Sequence, residues 1–355
     1  MSTKNILLTT LLAIALTLAA CAPSAAPTAA PDQPRTLTVM THDSFAVSEE
    51  VLAAFEQENN VKVRFLASGD TGSAVNKAIL AKDAPLADVF YGVDNTFLSR
   101  ALTEDIFEAY DSPLLAAIPP EFQLDAPQNR ALPVDFGDVC LNYEVAYFQE
   151  NQLPPPASLE DLLKPAYKGL TVVENPATSS PGLAFLFATV GHFGEDGYLD
   201  FWRGMVENDV RVVNDWEAAY YSEFTRWGGE RPIVVSYGSS PPFEVIFAEE
   251  PLDEPPTAAV TGEGSCFRQI EFVGILKGTE NRDLAEKFVD FMLSPAFQED
   301  IPLQMYVFPV NPEAQLDEVF LQYLAVPENP AALDPADIAA HRETWIQAWT
   351  DVVLR

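Results

Sequence analysis

From Thr36 onward, short β-branched runs alternate with segments of helical period. Thr36 to Thr41 (TLTVMT) alternates as a strand does, Glu49 to Glu58 carries Val51, Leu52 and Phe55 at helical spacing, and Val61 to Leu66 returns to strand. The order repeats in a helix predicted from Ser73 to Ala81, a strand from Ala87 to Gly92 and a helix from Asn95 to Arg100. Such βαβαβ alternation implies a parallel sheet covered by helices on both faces. Ligands of these sheets sit beyond the carboxyl ends of the strands, which selects Thr41 to Phe45 and Gly92 to Asn95 as site loops.

A second α/β unit opens where Pro133 to Asp138 leads into a strand through Val139 to Tyr143. After the proline run Leu153 to Pro156, the pattern predicts a helix from Ser158 to Leu163 and a strand from Gly169 to Val173. The loop Glu174 to Gly182 follows, then an apolar helix from Leu183 to about Val190. Strands are expected at Ile233 to Tyr237 and Gln269 to Leu276, the latter carrying the chain back to the first unit. The remainder is expected to be helical, notably Asn281 to Leu293 and Pro335 to Leu354.

Before Thr36 the pattern is different. Lys4, the apolar run Ile6 to Leu18 and the small pair Ala19-Ala20 make residues 1–20 a secretory signal. Cys21 directly after it resembles a bacterial lipobox, in which cleavage leaves the cysteine as a lipid-bearing N-terminus. An ordinary signal that ends beside a cysteine is the alternative, and both export the chain. Residues 21–35 hold four prolines, five alanines and no aromatic or long aliphatic side chain, so they cannot offset the entropy of ordering and read as a tether. No later segment approaches the ~20 uninterrupted apolar residues of a membrane span.

At 355 residues and 48% hydrophobic content, two cores are expected. A net charge of −33 repels nucleic acid and anionic headgroups. Most of these carboxylates read as a solubilising surface, and only acids inside a pocket carry a functional argument. With Cys21 assigned to lipid, Cys140 and Cys266 are too few and too far apart for a zinc cluster. They are either a disulfide or two buried thiols. No metal or cofactor is expected. The chain lacks a Gly-x-Ser-x-Gly elbow or paired-His motif for a secreted hydrolase, and His192 and His341 have no ligand-like neighbours.

Several stretches then occur in one order: Asp43-Ser44-Phe45-Ala46, Ala87 to Val89 with Gly92 to Asn95, Thr178 to Leu183, Trp216 to Tyr220, Ser236 to Pro241, and Phe291 to Gln298 with Ile301-Pro302 and Phe308 to Val310. Together they resemble the thiamine-binding proteins of bacterial ABC importers, within the type II periplasmic binding proteins. The resemblance implies a two-lobed α/β fold, each lobe a helix-flanked, mostly parallel sheet, with a ligand cleft between. Residues 36–137 with 268–312 would form one lobe and 138–267 with 313–355 the other. It implies a monomeric receptor, not an enzyme, that delivers thiamine or a thiamine phosphate to a permease and its ATPase. Val139 to Tyr143 and Cys266 to Ile270 resemble the paired hinge crossings of that superfamily, which would bring Cys140 and Cys266 within disulfide reach.

Thiamine has a cationic thiazolium and a flat aminopyrimidine, so its receptor needs aromatic faces and a carboxylate. The resemblance offers Trp216, Tyr237, Phe243 and Tyr306 as faces, with Tyr220 in the same motif as Trp216; core packing is the alternative for each. The polar setting Asn214-Asp215-Trp216-Glu217 favours a site for Trp216. Asp43 and Asp94, beside Ser44 and Asn95, either meet the ligand or cap helices. Thr178, Ser179 and Ser180 precede Pro181-Gly182 at a helix start, which suits both a serine cap and an anion such as a ligand phosphate. His42, Phe243 and Tyr306 depart from the family pattern of Tyr, a phenolic ring and Trp, which leaves a related pyrimidine or thiazolium compound open. His42 stacks while neutral and repels a cation if protonated. Ferric-ion receptors of the same superfamily are the rival reading, invited by Tyr220-Tyr221 and His42. Their tyrosine pair follows the strand equivalent to Ile233 to Tyr237, however, and neighbours on a helix diverge by about 100°.

Overall fold

The computed structural model describes residues 33–355. The expected signal peptide, lipidated Cys21 and the tether as far as residue 32 lie outside them. The strands are β1 (Arg35–Thr41), β2 (Val61–Ala67), β3 (Val89–Asp94), β4 (Phe107–Glu108), β5 (Leu132–Glu144), β6 (Thr171–Glu174), β7 (Arg211–Val213), β8 (Ile233–Tyr237), β9 (Thr257–Val260), β10 (Phe267–Leu276) and β11 (Phe308–Pro309). The α-helices are α1 (Glu49–Asn59), α2 (Thr71–Leu80), α3 (Leu98–Thr103), α4 (Val145–Glu150), α5 (Ser180–Glu207), α6 (Ser240–Ile246), α7 (Arg282–Leu293), α8 (Pro295–Gln304), α9 (Glu318–Tyr323) and α10 (Pro335–Val353). None of the described helices is long and apolar enough to cross a membrane.

The sheet runs β2-β1-β3-β10-β5-β8-β6-β7. β1, β2 and β3 are mutually parallel, as are β6, β7 and β8, while β10 and β5 pass between the two sets as an antiparallel pair. Register fixes the consequence. The carboxyl end of β3 meets β10 at Asp94↔Glu271, and the carboxyl end of β8 meets β5 at Tyr237↔Val139. The two parallel sets therefore point their carboxyl ends toward each other along the crossing strands, where parallel sheets place ligands.

Local chemistry explains the elements. Ser48 caps α1 by accepting from Val51 N, with Glu49 and Glu50 in the first turn where the helix dipole favours negative charge. α7 and α8 lay Leu284, Phe288, Met292 and Phe297 against Leu37, Val39, Val89 and Val273. In the other half, Leu183 to Ala188 of α5 pack on Leu141 and Val235 and against Trp345 and Trp349 of α10. Burying one such side chain contributes about 1.5–3 kcal/mol.

Several boundaries differ from the sequence reading. β5 extends back to Leu132 through Pro133, which sits beside an irregularity in the β5–β10 register where a missing N–H is tolerated. α5 begins at Ser180, because Pro and Gly in its first turn leave no bond unmade, and it continues to Glu207 across a break at Gly194 (φ 71°). Leu159–Leu163 is 3₁₀, and α3 starts at Leu98 rather than Asn95. β4, β7, β9, β11, α4 and α6 had no counterpart. Cys140 and Cys266 are joined as a disulfide, with Cα atoms 4.4 Å apart.

Candidate functional site

Between the facing carboxyl ends lies a cavity of about 280 Å³. The end of β1 supplies His42, Asp43 and Ser44; the start of α2 supplies Asp70 and Thr71; β10 supplies Glu271; and the end of α8 with the following turn supplies Gln304, Met305, Tyr306 and Val307. Across from them stand Pro181, Asp215, Trp216, Glu217, Tyr221 and Tyr237. The lining thus holds four aromatic rings, five carboxyls and no Lys or Arg.

Each aromatic is held from behind. Trp216 Nε1 donates to Ser236 Oγ at 3.0 Å, and Tyr220 stacks on the indole at 4.9 Å between centroids. Tyr306 crosses Trp216 at 5.5 Å and rests on Phe243 at 4.4 Å. The Tyr221 and Tyr306 hydroxyls lie 3.3 Å apart. Tyr237 OH donates to Gln269 Oε1 at 3.0 Å.

The carboxyls are unusual because burial withholds their solvation. Asp70 accepts from the backbone N–H of Thr71, Ser180 and Trp216 at 2.6–3.2 Å. Burial nevertheless outweighs these bonds and pushes it up to about 6. Asp94 and Asp135 are likewise raised by burial to about 6, and Glu271 is held well above the usual carboxylate range by burial and by the adjacent Asp135 charge. His42 is lowered to about 4 by burial, so its imidazole is neutral at pH 7. Its ring lies over Gly92 (φ 100°), where a Cβ would fall 2.4 Å from His42 Cδ2. No group of three or more His, Cys, Asp or Glu among the described residues is placed to hold a metal ion.

Residues 84–327 match the bacterial extracellular solute-binding protein family. The chain belongs to that family. The solute-binding protein is 31% identical over 324 residues to the thiamine-binding periplasmic protein of Salmonella typhimurium, covering 90% of this chain and 94% of that one. A solved periplasmic thiamin binding protein superposes with a TM-score of 0.80 at 28% identity, covering 92% of this chain and 98% of the other. A ferric binding protein from Campylobacter jejuni shares the fold at a TM-score of 0.72 and 18% identity, over 89% of this chain and 99% of that one. The resemblance seen in the motifs thus runs through the whole body, and its two-lobed α/β fold is that of periplasmic binding proteins. Its role is to bind a substrate for import.

Of the residues singled out in the sequence of this solute-binding protein, His42, Asp43, Ser44, Trp216, Tyr237 and Tyr306 line the cavity. Asp94, Asn95, Thr178, Ser179, Ser180, Tyr220 and Phe243 stand behind that lining. Asp94 Oδ1 gathers the N–H groups of Thr96 and Phe97 and the Thr96 hydroxyl, which secures the turn into α3. Asn95 clamps β10 through Arg268 O and Ile270 N. Thr178 donates to Asn214 O, and Ser179 caps α5 by accepting from Gly182 N. Tyr220 is buried with its hydroxyl on Glu244, away from the Tyr221 hydroxyl, because the two sit in succession on one π-helical turn, Ala218–Glu223. Gln269, absent from the sequence reading, ties Asp94, Ser180 and Tyr237 together. Asp70 and Glu271 were also missed, while Asp215 and Glu217 entered only as the polar setting of Trp216 and Tyr221 only in the ferric-ion reading. Glu271 left a trace as a lone acid inside the apolar strand Phe267–Leu276, and Asp70 as an acid immediately ahead of a helix.

Proposed function

We propose that this protein is the thiamine receptor of an ABC importer, anchored by lipid on Cys21 and handing its ligand to a membrane permease with an ATPase subunit. The carrying observation is the cavity lining itself: the faces of Trp216, Tyr221, Tyr237 and Tyr306, five carboxyls and no Lys or Arg, in a solute-binding protein whose relatives include thiamine-binding periplasmic proteins. A flat permanent cation matches that lining by stacking, cation–π contact and charge. Residues 36–137 with 268–312 would close on residues 138–267 with 313–355 about β5 and β10, without chemistry on the ligand.

Free thiamine fits better than its phosphates. The N-terminus of α5, the anion seat expected from Thr178 to Ser180, already faces the Asp70 carboxylate. A phosphate there would meet that charge and those of Asp215 and Glu217. Titration calorimetry with thiamine and thiamine monophosphate on the mature chain tests this, with thiamine expected to bind at least about tenfold more tightly, which is ~1.4 kcal/mol. Equal affinity refutes the preference, and no binding of either refutes the thiamine reading. A second reading, ferric ion, draws on the adjacent Tyr221 and Tyr306 hydroxyls. A tyrosinate–iron absorption band on iron loading would establish it; none is expected.

A further inference from the structure

We propose that Glu271, directly opposite Asp135 on the crossing strands, is the cation-selecting group of the cavity, and that the pair gives up its shared proton when a cationic ligand enters. The proposal rests on the cation reading above and deepens it.

Three observations place the groups. Asp135 and Glu271 are register partners of β5 and β10, and both side chains are buried, Asp135 completely. The Tyr91 hydroxyl lies 2.5 Å from Asp135 Oδ2 and 3.2 Å from Glu271 Oε2, so its single hydrogen serves Asp135 first. Only Glu271 of the two lines the cavity.

The surrounding elements supply no counter-charge. From the end of β1, His42 places Nε2 3.6 Å from Glu271 Oε1, and that nitrogen has no hydrogen-bond partner. Its imidazole is kept neutral by burial. β3 contributes Tyr91 and Asp94, β8 contributes Tyr237, and the start of α2 adds Asp70, all neutral or acidic. Two neighbouring carboxylates with no cation cannot both ionise in a buried site, so one proton remains on the pair at neutral pH. Burial and the Asp135 charge, which hold Glu271 above the usual carboxylate range, act in the same sense.

A cation beside Glu271 supplies the missing charge. The carboxyl O–H bond then breaks, its electron pair stays on Glu271, and the proton leaves through the cavity mouth to buffer. The pair changes from one negative charge to two as one positive charge arrives. A neutral ring of the same shape pays for Glu271 desolvation without that compensation, which makes the pair selective.

The test uses the mature protein and thiamine at pH 7, titrated calorimetrically in phosphate and in Tris, whose ionisation enthalpies differ. The difference in observed heat counts protons, and release of up to about one proton per thiamine is expected. Glu271→Gln should bind at least about tenfold more weakly, with no proton released. Asp135→Asn lets Glu271 ionise beforehand, so thiamine is still bound while proton release is lost, a split that mere structural damage would not produce. Thiamine binding with the same heat in both buffers overturns this inference and leaves the thiamine reading standing. No heat in either buffer overturns both.

Discussion

At the residue scale, the cavity depends on side chains whose hydrogen bonds point away from it. Trp216 uses its ring nitrogen on Ser236 and its backbone N–H on Asp70, so the indole is already oriented before any ligand arrives. Preorganisation of this kind spares the entropy of ordering the ring on binding. Trp216→Ala is expected to weaken thiamine binding by about 1–3 kcal/mol, or roughly fivefold to more than a hundredfold. Calorimetry on the folded variant checks this, and an unchanged affinity removes Trp216 from the contact surface. Asp70 shows the limit of motif reading. Its position ahead of α2 marks a cap, yet nothing local reveals that it also reaches Ser180 and Trp216, far along the chain.

At the scale of elements, β5 and β10 matter most. They carry Asp135 and Glu271, pair with both parallel sets, and are stapled by the Cys140–Cys266 disulfide. A bridge closing a loop with a sequence separation of 126 residues restricts the unfolded chain strongly. Replacing both cysteines by Ser is expected to lower unfolding free energy by about 2–5 kcal/mol. Thiamine affinity should change little, because the bridge lies outside the cavity lining. Urea unfolding and calorimetry read the two effects separately. Full stability in the double variant, or two free thiols in the denatured, unreduced chain lacking Cys21, would contradict the bridge.

For the whole molecule, buried acids set the response to pH. Asp70, Asp94 and Asp135 rise to about 6, and Glu174 and Glu271 rise further, burial being the first cause in each. A carboxyl raised on folding binds more protons in the native state, so its stabilisation is full below the unfolded value and is lost as pH climbs through about 6. His42 acts oppositely, since its lowered value costs stability as pH falls from 6.5 toward 4. Five raised carboxyls outweigh one imidazole, and relief of the −33 net charge acts in the same direction. The melting temperature is therefore expected to rise as pH is lowered from 7.5 to 5. Thermal denaturation that is flat or falling over this range would show that these acids are ionised in the fold.

Local pattern alone determined the α/β class, most central strands and the order of motifs that marks the family. Periodicity, capping residues and spacing are written within a few residues of each other, as in β1, β8 and α7. Tertiary structure decided which aromatics face the cavity. Tyr221 lines it while Tyr220 does not, although they are neighbours on one turn. It also turned the helix start at Ser179 and Ser180 from an apparent anion site into the partner of Asp70. The acid pair of Asp135 and Glu271, 136 positions apart, exists only through strand register. Side chains meet across a sheet because backbones pair, and one residue of slip would turn either acid to the other face.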